Sequence, residues 1–119
     1  MQKETTKPVM KPIKLLISIV ARGKGSAVSK TAHKLGAMSS AVMLGRGTAA
    51  SEILDILGIG GTEKDVVICT VYADDAHRIL TALADKMHFE KPGSGIAFTL
   101  PIQSVGGMEM FLALTGQLS

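Results

Sequence analysis

The chain has 119 residues, 46% of them hydrophobic and 19% charged, with a formal net charge of +3; this describes one globular domain with a real core and excludes a disordered chain. Aromatic residues make up only 3%, so there is no stacking platform for bases and nucleic-acid binding is not expected. A lone cysteine, Cys69, cannot close an internal disulfide, and nothing in its use suggests an oxidising compartment.

Residues 1–12 read as a flexible basic N-terminal arm, carrying Lys3, Lys7 and Lys11 and broken by Pro8 and Pro12. Ile13 to Ala21 then reads as the first strand. The run is too short to cross a bilayer and is interrupted by Lys14 and Ser18, so we expect no membrane insertion, no export signal and a cytoplasmic protein. Gly23-Lys24-Gly25 breaks the strand, and Ser26 is the expected N-cap of a helix reaching about Leu35. Val28, Ala32 and Leu35 share one face of it, and Gly36 is its expected stop.

Met38 to Leu44 reads as the second strand, ending in Gly45-Arg46-Gly47-Thr48. Glycines there let the backbone turn and let a ligand approach the main chain, and consecutive free N–H groups can form a nest for an anion. Thr48 to Gly58 is expected as a short helix with Ile53, Leu54 and Leu57 on one side. Asp65 to Tyr72 is the third and most apolar strand. Asp74-Asp75 open the next helix, where acids suit the N-terminal dipole, and Ala76, Ile79, Leu80, Leu83 and Met87 form its buried face. Lys91-Pro92-Gly93-Ser94-Gly95 turns the chain into a fourth strand, Ile96 to Leu100, which Pro101 limits to an edge or an end. Gly106-Gly107 sets off a C-terminal extension, 106–119, in which Met108 to Leu114 is either an added strand or a short helix.

Strand–helix–strand–strand–helix–strand is the split βαβ arrangement: an α+β, ferredoxin-like antiparallel sheet with both main helices on one face. The other face should then be bare. Yet Leu15, Ile17 and Ile19 oppose Leu16 and Val20 on the first strand, and Val66, Ile68 and Thr70 oppose Val67, Cys69 and Val71 on the third. Both faces are apolar, which marks an interface, so we expect a homo-oligomer closed through its sheets.

From Ile13 to Val105 the residues resemble the PII signalling family. Lys34-Leu35-Gly36-Ala37-Met38-Ser39 is similar to the family's helix end and the Gly-Met-Thr that leads into its second strand. Gly45-Arg46-Gly47 is similar to the Gly-x-Gly at the base of its T-loop, and Gly93-Ser94-Gly95 to the Gly-Asp-Gly of its B-loop. The resemblance implies a domain over 13–105 that assembles as a homotrimer, with a T-loop region at 46–64. It implies a small anionic effector, ATP or ADP with or without Mg²⁺, bound between subunits and not held as a tight cofactor. By position, Gly45, Gly47, Gly93 and Gly95 would give backbone contacts, with Ser39 near the base, Ser94 in the B-loop, and Arg46 and Lys91 as cations. It further implies a regulated transporter or metabolic enzyme contacted through the 46–64 loop.

The chain also departs from the pattern. Thr48-Ala49 stand where the family has Arg-Gln, Ile96 replaces the Lys after the B-loop, Ser94 replaces its Asp, and Ser104-Val105-Gly106-Gly107 lacks the usual basic residues. Three phosphate-binding charges are thus replaced, and Arg46 and Lys91 are the candidates to stand in. The alternative reading is a trimeric interaction module with a decayed nucleotide site. A third, a metal-binding protein of CutA type, has only His33, His77 and His88, with no two at ligand spacing in one element. No acid/base pair or activated nucleophile can be assembled, so no enzyme is expected.

Overall fold

The structure, a computed structural model, describes residues 11–46 and 63–115. The N-terminal arm up to residue 10, Gly47 and the helix expected over 48–58 lie outside the described residues. The elements are β1 (Ile13–Ala21), α1 (Gly25–Leu35), β2 (Ser39–Arg46), β3 (Glu63–Tyr72), α2 (Ala73–Lys86), β4 (Ile96–Pro101) and α3 (Met108–Leu114). The four strands form one sheet in the order β2-β3-β1-β4, and every pairing is antiparallel. This is the expected α+β, ferredoxin-like arrangement.

Side-chain alternation decides which face the helices cover. Leu16 and Val20 of β1, with Val67, Cys69 and Val71 of β3, are fully buried beneath Val28 and Ala32 of α1 and Ala76, Ile79 and Leu83 of α2. Each large aliphatic side chain placed there contributes about 1.5–3 kcal/mol of transfer free energy. Leu35, Leu80 and Met87 pack against this core from its margin. The opposite face carries Leu15, Ile17, Ile19, Val66 and Ile68 half-buried, with Met43 at 47% and Phe98 at 36% exposure.

Two local expectations change. The first residue of α1 is Gly25, preceded by Lys24, and neither Lys24 nor Ser26 makes a side-chain cap. The cap comes instead from β3: the Asp65 carboxylate accepts the N–H groups of Gly23 and Gly25, each at 2.9 Å. A charged acceptor on a helix's first N–H groups is worth more than a serine hydroxyl, and it offsets the positive end of the dipole. Second, β2 continues through Gly45 to Arg46, which pair with Lys64 and Glu63. Gly45 is therefore a strand residue, not a turn. Its missing side chain makes room for Val66, whose methyl would lie 2.9 Å from an added Cβ. Of the two forms expected for residues 108–114, the chain takes the helix, begun by the N–H of Phe111 donating to the Gly107 carbonyl at 3.1 Å.

Gly36 ends α1 as expected, its N–H donating to the carbonyls of Ala32 and His33 at 3.1 Å. β4 is an edge strand finished by Pro101, which pairs with Lys14. On the other edge, α1 lies along β2. Ser29 and Ser40 share a hydrogen bond of 2.5 Å, and His33 Nε2 lies 3.0 Å from the Ser40 hydroxyl.

Candidate functional site

The end of the sheet where β1 and β2 finish gathers most of the expected site. Arg46 closes β2 opposite Glu63. Glu63 is itself held by Arg22 at 2.9 Å. Among the described residues no carboxylate pairs with the Arg46 guanidinium. The loop from α2 to β4 reaches the same end, since Ile96 pairs with Ile19 near the finish of β1.

That loop is built by its own hydrogen bonds. The Ser94 hydroxyl lies 2.6 Å from the carbonyls of both His88 and Lys91, and the Ser94 N–H donates to Lys91 at 3.2 Å. Ser94 is thus committed to the loop's shape. His88 sits in left-handed backbone at φ 57°, and Gly93 and Gly95 adopt φ 83° and 139°. At Gly95 an added Cβ would come within 2.9 Å of the Ile19 carbonyl and 2.8 Å of a Val20 methyl. Glycine there is demanded by the fold, whatever else the loop does. Lys91 is exposed beside it.

Within one chain these parts do not meet. Arg46 and the 91–95 loop stand on opposite edges of the sheet, three strand spacings or roughly 14 Å apart. Ser39 begins β2, seven residues from Arg46, and so lies roughly 23 Å away along the strand. Gly47 lies outside the described residues.

Ser39 belongs to a different feature. Its hydroxyl shares a 2.6 Å hydrogen bond with the Thr70 hydroxyl. Both line an apolar cavity of about 440 Å³ between the open sheet face and the chain after β4, with Leu15, Ile68, Val105 and Phe111 among its walls. A second cavity of about 190 Å³ shares Phe111 as a wall and lies against Lys11, Pro12 and Ile13. Sequence reasoning missed this arrangement, because it depends on where the C-terminal extension folds back. Only the apolar character of residues 102, 105 and 111 hinted at it. It also missed the role of Asp65, whose partners are 40 and 42 residues away.

The remaining titratable groups are scattered. His33 lies on α1, His77 on α2 and His88 in the following loop. Among the described residues, no three of His, Cys, Asp and Glu come together as a metal set. Burial pushes the Cys69 thiol up to about 11, which suits a core thiol and not a nucleophile. Among the described residues, no helix is long and apolar enough to cross a membrane.

No family model matches the chain, and no curated protein matches its sequence. Solved structures do. A PII-like signalling protein of Thermus thermophilus superposes with a TM-score of 0.59 at 18% identity, over 83% of this chain and 95% of that one. CPII of Thiomonas intermedia K12, solved bound to ADP, AMP and acetate, gives 0.60 at 15% identity, over 83% and 94%. A Bacillus cereus protein related to NIF3 gives 0.58 at 14% identity, over 82% of this chain but 27% of that one. The chain has the fold of the PII-like signalling proteins, and that fold also occurs as part of a larger protein.

Proposed function

We propose that the chain is a divergent PII-like regulator that assembles as a homotrimer, binds an adenine nucleotide between protomers, and acts on a transporter or metabolic enzyme through residues 46–64. In this reading it is cytoplasmic and carries out no chemistry of its own. The observation that carries the proposal is the separation of the site's parts. Arg46 and the 91–95 loop share one end of the sheet but lie on opposite edges, while Ser39 and its cavity lie at the other end of β2. Parts so placed can face a common ligand only when a second copy supplies the missing side. The open apolar sheet face is the surface on which that copy would pack.

A division of labour follows. Phosphates suit the backbone N–H groups around Gly93 and Gly95 together with Arg46 and Lys91, a nest reinforced by two cations. A planar base suits the apolar cavity of the neighbouring protomer, where the Ser39 and Thr70 hydroxyls are the polar groups that can read a ring edge. ADP and AMP on CPII, a protein of the same fold, support the ligand class.

The test is a thermal-shift titration with ATP, ADP, AMP and tripolyphosphate, with and without Mg²⁺. At a hundred times Kd a ligand stabilises the native state by about 2.7 kcal/mol per site. Arg46→Ala and Lys91→Ala should each reduce the shift and leave the unliganded melting point unchanged. Glycine substitutions are poor probes, since Gly45 and Gly95 are required by packing. One observation favours the alternative, an interaction module without a nucleotide: the Ser94 hydroxyl is already taken by the carbonyls of its own loop. No shift with any of these ligands would decide for that alternative.

A further inference from the structure

We propose that α3 is a lid on the apolar cavity, hinged at Gly106-Gly107, and that binding of a planar ring beneath it holds it shut. The proposal rests on the nucleotide reading above and adds a moving part to that site. The cavity has two kinds of wall. Leu15, Ser39, Ile68 and Thr70 belong to the sheet, which is fixed by its ladders, and Val105 precedes the hinge, whereas Phe111 lies beyond it on α3.

The hinge has the properties such a motion needs. Gly107 holds φ 75°, and an added Cβ at either Gly106 or Gly107 would meet nothing within 4 Å. Among the described residues no packing restrains the pair, so rotation there is governed by what α3 touches. Leu112 and Thr115 are buried, and the Tyr72 hydroxyl donates to the Thr115 carbonyl at a long 3.4 Å. Met108 and Met110 of α3 stand 45% and 69% exposed. A seven-residue helix outside the sheet's ladders opens more easily than the sheet it covers.

Phe111 is the working residue of the lid. It lines both the 440 Å³ and the 190 Å³ cavities, and does so from beyond the hinge. A ring in the larger cavity would lie against the Phe111 side chain and bury apolar surface on both the sheet and α3. The part of the binding energy that comes from Phe111 is available only in the closed form, which is the differential affinity a ligand needs to shift an equilibrium.

Hydrogen exchange of the full chain tests this, read on the amides of residues 108–115 with ATP, adenosine or tripolyphosphate added. ATP and adenosine should slow exchange there, and tripolyphosphate should not. Phe111→Ala should weaken ATP binding about tenfold, as expected for losing one ring contact, while leaving tripolyphosphate binding unchanged. A clear ATP thermal shift with unaltered exchange at 108–115 overturns the lid and leaves the nucleotide reading standing. No ATP shift at all overturns both.

Discussion

At Ser18 the core carries a polar group that the fold does not use. The side chain is 1% exposed and its hydroxyl has no hydrogen-bond partner among the described residues. A buried unpaired hydroxyl costs about 1–3 kcal/mol of lost hydration. Ser18→Ala removes it with almost no change of volume, so we expect chemical denaturation to show the variant equally or more stable, by up to about 2 kcal/mol. A clear loss of stability would show that the hydroxyl is paired in solution. Cys69 makes a prediction in pH. Its thiol ordinarily titrates at 9.0 and is raised by burial to about 11. The native state therefore holds the proton more tightly than the unfolded chain. Stability from this group is constant below pH 9 and falls as pH rises toward 11, by about 1–3 kcal/mol in all. Denaturant midpoints at pH 8 and pH 10.5 should differ, and Cys69→Ala should lessen the difference.

Among the elements, α1 depends most on a distant residue. Its first turn has no side-chain cap of its own, and the N–H of its first residue, Gly25, goes to Asp65 on β3 together with that of Gly23 in the preceding turn. Gly25 is part of that arrangement, since a Cβ there would lie 2.7 Å from a Val42 methyl and 2.9 Å from the Asp65 carboxylate. Asp65→Ala should cost about 1.5–3 kcal/mol, the range for hydrogen bonds to a charged group. Asp65→Asn keeps one acceptor oxygen and should recover part of the loss. Equilibrium unfolding of the two variants measures the difference, and equal costs would mean that charge contributes nothing beyond geometry. Because Asp65 stands two residues into β3, just after residues 47–62, the same carboxylate also ties the base of the proposed T-loop to the helical layer.

For the whole molecule the open sheet face decides the prediction. Met43, Phe98 and Leu100 are 47%, 36% and 43% exposed on that side of the sheet, beside the half-buried row of β1 and β3. Light scattering after gel filtration should give three times the chain mass for the native protein. Met43→Glu with Phe98→Glu should give a folded monomer, because both side chains stand away from the core under the helices. A native monomer would remove the basis for a site shared between protomers.

What the sequence determined by itself was whatever depends on neighbours along the chain. Period-two and helical patterns located four strands and two main helices, because burial on one face of each element leaves its mark every two, or every three to four, residues. Gly36 stopped α1, and the apolar character of both faces of β1 and β3 was evident without coordinates. Only the tertiary structure decided what depends on residues far apart. It assigned the cap of α1 to Asp65, made Gly45 a strand residue packed on Val66, and bound the Ser94 hydroxyl into its own loop. It also separated Ser39 from Arg46 by the length of a strand and folded α3 over the sheet to make a cavity. Local pattern records which residues are buried; which residues meet there is set by strand order and register, and these bring together partners that the sequence holds 40 positions apart.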